Sequence, residues 1–194
     1  PMHHYAVPGL LTTAHAAYRT PLGDLLVDSA SLQALDDLLK KKLGAGLAYV
    51  KNDPEHSLEI ELPFLQRVLG AEIGQAAPFR LLPVMVRAQD AHTIQMLGEA
   101  LAEVLAGRRA VLVASTDLSH FYPQKVAQVL DAEVMQRVAA FDPQAVLSDE
   151  DEGVGCACGR GALAAVMWAS KSLGANTAQV LRHATSGDVT GDHT

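Results

Sequence analysis

The run Val111-Leu112-Val113-Ala114-Ser115-Thr116-Asp117-Leu118-Ser119-His120 passes from aliphatic side chains to hydroxyls, a carboxylate and an imidazole. A short Val/Leu run suits a strand buried on both faces of a parallel sheet, and such sheets gather ligands at the carboxyl ends of their strands. Asp117 and His120 fall at that end, where a carboxylate and an imidazole can exchange protons with a bound molecule. Asp117 reads equally as the cap of the next helix, with His120 its first-turn neighbour.

A second stretch with chemistry in it is Gly153-Val154-Gly155-Cys156-Ala157-Cys158-Gly159-Arg160-Gly161. The alanine-rich segment from Ala162 to Leu173 predicts a packed helix, so Cys158 stands just before a helix N-terminus. There the macrodipole and free N–H groups favour the thiolate, the form that ligates metals or attacks carbonyls. A small residue filling a tight turn carries equal weight. The glycine spacing is poor evidence for a nucleotide site, because an acidic segment and not a strand precedes it. One residue separates Cys156 from Cys158, a poor geometry for a disulfide between them. His56 lies between Glu55 and Glu59 at a predicted helix start; flanking carboxylates orient an imidazole in metal sites and proton relays, and also decorate solvated helix ends. The adjacent His3 and His4 read as surface or tag-like residues as readily as ligands.

The elements that must position these groups follow from periodicity. Thr20-Pro21-Leu22-Gly23-Asp24 predicts a hairpin turn. Ser31 to Leu43 carries leucines at helical spacing, with Ser29 or Ser31 as N-cap and Gly44 as the stop. A helix is expected after Asp53-Pro54, kinked or divided at Pro63. Then come a strand over 79–86, a helix over 90–106, the strand over 109–115, a helix after Tyr122-Pro123 and a short one capped by Asp142-Pro143. The acidic run Asp149-Glu150-Asp151-Glu152 reads as a solvated loop, Thr177 to Thr185 as a strand, and Ser186 to Asp192 as a polar turn. This alternation predicts an α/β protein, with 1–194 as a single domain. An N-terminal βα unit and a C-terminal strand are expected outside the chain.

Composition narrows the function classes. With 194 residues, 49% of them apolar, the chain can bury a substantial core. A net charge of −7 gives no electrostatic footprint for nucleic acid, and Lys40-Lys41-Lys42 suits the last turn of a helix. No apolar run approaches the ~20 residues of a membrane span, and no secretory signal opens the chain, so a cytoplasmic setting is expected.

In order along the chain, Pro1-Met2-His3-His4, Tyr18-Arg19-Thr20-Pro21-Leu22-Gly23, Glu55-His56-Ser57-Leu58-Glu59, Ser115-Thr116-Asp117-Leu118-Ser119-His120, Cys158-Gly159 and Ala184-Thr185-Ser186-Gly187-Asp188-Val189-Thr190-Gly191-Asp192 together resemble the Memo family, whose prokaryotic members are called AmmeMemoRadiSam system protein B. The resemblance implies a fold similar to the class III extradiol dioxygenases: three layers, with a mostly parallel central sheet and helices on both faces. It implies a metal site in which Cys158 stands where the dioxygenases use a Glu and His3 is an imidazole ligand. Asp117 and His120 would face the metal as the catalytic polar groups, with His56 and His4 behind them. The family's other ligand His lies in an upstream Pro-His-Ala-Gly type segment that this chain does not contain. Fe(II) is the metal expected first, with Cu or Zn as alternatives that a thiolate also suits.

Three functions are then open. The first is a metal-dependent redox or oxygenase-like enzyme of the non-heme iron type, acting on a small, aromatic or related substrate. The second is a non-catalytic module that uses the same cleft for a peptide or protein partner, with radical SAM system proteins the partners the family name suggests. The third is Cys-dependent hydrolysis, with Cys158 as nucleophile and His120 and Asp117 as base and orienter.

Overall fold

Leu10-Leu11-Thr12-Thr13 is buried along its whole length and forms β1 (Leu10–Thr13), the middle strand of the sheet that organises the N-terminal part of the protein. The structure, a computed structural model, describes residues 9–51, 56–70, 77–152, 155 and 157–191. The chain divides into two compact units, one up to Ala88 and one from Gln89.

In the first unit β1 is followed by a hairpin, β2 (Ala17–Thr20) and β3 (Gly23–Leu26), paired in register from Ala17 opposite Leu26 to Thr20 opposite Gly23. The turn falls on Pro21 and Leu22, and Gly23 adopts φ 123°, a conformation open to glycine. Helix α1 (Ser29–Leu43) buries Leu32, Leu35 and Leu39 on one face, each worth about 1.5–3 kcal/mol against exposure. Its cap is Asp28, which accepts the Ser31 amide, where Ser29 or Ser31 was expected; Gly44 ends the helix in the left-handed conformation as the sequence predicts. The chain then returns as β4 (Ala48–Val50), parallel to β1. Pro63 does not kink a helix but sits in the first turn of α2 (Leu62–Val68), where its missing N–H costs nothing. The strand expected over 79–86 shrinks to a bridge at Leu81 and β5 (Met85–Val86), antiparallel to β1, because Pro83 cannot donate to a ladder. Leu25, Leu62 and Leu81 form a buried cluster with Tyr18, Leu58, Leu65, Ala77 and Phe79 packed around it.

Asp36 shows how this unit closes. It is buried on α1, accepting the Leu47 amide on one oxygen (2.7 Å) and the Lys40 ammonium on the other (2.6 Å). Burial pushes its carboxyl up, but the Lys40 and Leu47 bonds outweigh burial and hold it below the usual carboxylate range. A depressed native pKa contributes stability that is complete above the unfolded value of ~3.9 and is lost as pH falls through the native one. Asp36→Ala should therefore cost about 1–3 kcal/mol in urea denaturation at pH 7, and the gap to wild type should narrow as the pH is lowered below about 4.

The second unit is helical where described. Helix α3 (Ala91–Leu105), capped by Asp90, packs on α6 (Arg160–Ser172) through Gly98, whose missing side chain lets α6 approach. Between them run α4 (Gln124–Ala139) and α5 (Pro143–Glu152), and α7 (Ser186–Thr190) follows. Two expectations are corrected here. The acidic run Asp149–Glu152 belongs to the end of α5 and is not a loop. Polar turn Ser186–Asp192 contains α7, begun by a capping box between Thr185 and Asp188.

The strand expected over 109–115 is chain without assigned secondary structure and with no ladder partner among the described residues, and Val111 and Val113 are 69% and 47% exposed. An apolar Val/Leu run becomes a strand only where a neighbour meets its backbone groups. The same holds for the expected strand over 177–185. The protein is thus mixed α/β, with a three-stranded sheet in the order β4-β1-β5 and a separate two-stranded hairpin; its parallel pairing is the β1–β4 pair and a bridge from Val27 to Leu81. Among the described residues no helix is long and apolar enough to cross a membrane.

Candidate functional site

In the second unit the two stretches singled out by their chemistry meet. The Cys158 amide donates to the Asp117 carbonyl (3.3 Å), and the Gly159 amide donates to Thr116 Oγ1 (2.7 Å). Thr116 in turn donates its hydroxyl proton to the Asp117 carbonyl (2.8 Å). The Cys158 thiol is free and exposed, 3.7 Å from both Thr116 Oγ1 and the Asp117 carbonyl. The thiol thus rests on the segment that carries Asp117 and His120, though 42 positions separate Cys158 from Thr116 in sequence.

Gly159 makes this approach possible. A Cβ there would stand 2.7 Å from Thr116 Cβ and 2.8 Å from the Ser115 carbonyl, which is backbone and cannot swing aside. Gly159→Ala should cost about 1–3 kcal/mol as the turn and the start of α6 are forced apart. Thermal unfolding measures that loss, and alkylation of Cys158 should become faster as its cover on the turn loosens.

The start of α6 is anchored by Arg160, which is buried and donates from Nε to Gln89 Oε1 (2.8 Å) and from a terminal nitrogen to the Leu147 carbonyl (3.1 Å). His120 is exposed, and its Nδ1 lies 3.1 Å from the Leu118 carbonyl. A carbonyl only accepts, so Nδ1 carries the proton and the Nε2 lone pair is left to act as a base or ligand. Next to it Phe121 is fully exposed at φ 65°, with its ring edge-on to the imidazole at 5.0 Å. A bulky residue at positive φ is strained, and such strain collects at functional sites.

Other candidates stand elsewhere. His56, in the first unit, is exposed with Nδ1 3.3 Å from Glu59 Oε2. His3 and His4 lie outside the described residues, as does Cys156. The Cys158 thiol meets Thr116 and a backbone carbonyl, and no thiol–imidazole hydrogen bond of a Cys–His nucleophile pair forms among the described residues.

Thr116, Asp131 and His183 went unseen at the sequence level. Thr116 stands in the middle of the motif but lacks the ionisable character that draws attention. Asp131 is one polar residue inside α4 and His183 one imidazole in an extended segment, and nothing in their spacing links them. The side chain of Asp131 is almost wholly buried, with Oδ1 accepting the Ser119 amide (2.9 Å) and Oδ2 2.7 Å from His183 Nε2.

Cys158, Asp117 and His120 offer sulfur, oxygen and nitrogen donors, a chemistry that fits Fe(II), Cu or Zn. Among the described residues no three His, Cys, Asp or Glu side chains close into a metal-holding group. The match of donors to metal therefore rests on the chemistry of the set and on an exposed, free thiol.

The comparisons with known proteins are uniform. The family model described as Memo-like protein matches residues 1–194. A MEMO1 family protein of Methanopyrus kandleri is 36% identical over 198 residues, covering 100% of this chain and 66% of its own length. Those of Methanocaldococcus jannaschii and Methanothermobacter thermautotrophicus are 32% and 34% identical, covering 98% and 99% of this chain and 65% and 66% of their own lengths. The chain thus spans just under two thirds of the length of these curated relatives. With the match running from its first residue to its last, the chain belongs to the Memo-like protein family.

Proposed function

We propose that this chain carries most of the site of a metal-dependent, oxygenase-like redox enzyme, built on a three-layer fold similar to the class III extradiol dioxygenases and acting on a small aromatic or related molecule. The observation that carries this reading is the seating of the Cys158 thiol on the Ser115–His120 turn. Cys158 would hold the metal together with His3 and the upstream His that the family places outside this chain. When bound, Fe(II) would supply a Lewis-acidic, redox-active centre; Cu or Zn would suit the same thiolate. His120 takes a proton from a bound substrate at Nε2 or returns one there, its tautomer fixed by the Leu118 carbonyl. Asp117 is exposed on the same segment and offers its side-chain oxygens to a bound molecule. An exposed free thiol also suits a reducing compartment, in keeping with a cytoplasmic setting.

A second reading is favoured by one observation, the strained and fully exposed Phe121 beside His120. It makes the same cleft a binding surface for a peptide or for a radical SAM system protein, without catalysis, since exposed aromatics anchor partners. Metal content separates the two. The protein purified without chelator should carry close to one equivalent of Fe, Cu or Zn; preparations free of all three would leave only the binding reading.

A further inference from the structure

Asp131, like Asp36, is a buried carboxylate that this chemistry does not use. It sits in the middle of α4, and both of its oxygens are taken, one by the Ser119 amide and the other by His183. Ser119 is bound to the same helix a second time, its hydroxyl donating to the Ala127 carbonyl (3.4 Å). His183 is three-quarters covered and lies just before α7, which is tied to α4 again seven residues earlier in that helix, where Gln124 Nε2 donates to Asp188 Oδ1 (2.7 Å). Asp188 is itself fixed: the Thr185 amide and hydroxyl, then Gln124 and His183, hold its carboxyl below the usual range.

We propose that Asp131 is the positioning residue of the Ser115–His120 turn, holding Ser119 on one oxygen while His183 locks the carboxylate on the other. The chain of bonds is continuous from His183 through Asp131 to the Ser119 amide, and Ser119 is the neighbour of His120. A carboxylate with a single hydrogen-bonded oxygen can rotate about its Cβ–Cγ bond, and one held at both oxygens cannot. An acceptor that is charged, buried and fixed makes a strong bond to an amide. The segment 183–188 therefore braces Ser119 through Asp131. That the turn is the site rests on the reading above, and the test separates the two.

His183→Ala is the decisive variant, because truncating buried Asp131 can unfold α4. In the natural protein, hydrogen exchange of the Ser119 amide should quicken about tenfold or more in His183→Ala, while amides inside α3 and α6 keep their rates. His183→Gln, whose side-chain amide can still donate to Asp131, should restore slow exchange. Titration with Co(II) alone, read through its absorption when bound to the Cys158 thiolate, should show affinity weakened about tenfold in His183→Ala and recovered in His183→Gln. Unchanged exchange at Ser119 in His183→Ala would overturn the proposal. So would faster exchange with unaltered Co(II) affinity, since the turn would then be held for folding alone. If wild-type protein binds no Co(II), the metal reading fails and the Ser119 amide alone decides whether Asp131 holds the turn.

Discussion

Gly98→Leu is expected to destabilise the protein by about 3 kcal/mol or more, lowering Tm by about 10 °C. Gly98 lies in the middle of α3, where a Cβ would stand 2.6 Å from Trp168 Cβ, 2.8 Å from the Ala165 carbonyl and 3.1 Å from the Ala169 amide nitrogen of α6. Two of these three atoms are helix backbone, so the helices must separate. Alanine at the same position meets two opposed effects: it gains ~1 kcal/mol of helix propensity over glycine and loses about 1–3 kcal/mol to overpacking. Gly98→Ala should thus be mildly destabilising and Gly98→Leu severely so. Because α6 begins two residues after Cys158, the larger change should also disturb the thiol's seat on the Ser115–His120 turn. Thermal unfolding of both variants checks the ordering; a Gly98→Leu protein as stable as wild type would show that α3 and α6 do not pack this closely.

Cys158→Ser should weaken metal binding at least about 100-fold, since a hydroxyl at neutral pH does not replace a thiolate as ligand. The pH dependence follows with a definite sign. One proton competes with the metal for the sulfur, so wild-type affinity should fall as pH drops, by up to about tenfold per unit, and rise toward a plateau as the thiolate fills. The serine variant should lose that slope along with the affinity. Folding should be nearly untouched, because the thiol is exposed and its contacts at 3.7 Å are weak. A Cys158→Ser protein that binds Fe(II) or Co(II) as well as wild type would remove the thiolate from the site.

What could be read from the sequence divides along the range of the interactions. The hairpin at Pro21-Leu22, helix α1 with its Gly44 stop and a helix over the α3 stretch are fixed by neighbours within a few positions, and all three are found as expected; that Asp90 caps α3 is added by the structure. The chemistry-bearing turn at Ser115–His120 and the cysteine before α6 were also legible, because their residue types are unusual at those places. Failures came where a distant partner decides. Val111 to Val113 has strand composition, but a strand needs a ladder, and none of the described residues provides one. Pro63 reads as a break in a helix that begins at Asp53, yet the observed α2 starts at Leu62 and places this proline in its first turn. Asp131 and His183 are 52 positions apart, and only folding shows that they share a hydrogen bond and that Ser119 hangs from the same carboxylate. Single polar residues inside an ordinary helix give no sequence signal of that kind.

The central claim is that Cys158, seated on the Asp117–His120 turn, is a metal ligand. It is tested most directly by the rate at which iodoacetamide alkylates Cys158, followed by the fragment masses of the peptide that carries both cysteines, so that Cys156 is counted separately. With Fe(II) or Cu bound the reaction should be slow, because the attacking lone pair is engaged by the metal; after stripping with a chelator it should be at least about tenfold faster. Equal rates in the loaded and stripped protein, with the upstream His present, would contradict a metal at this thiol.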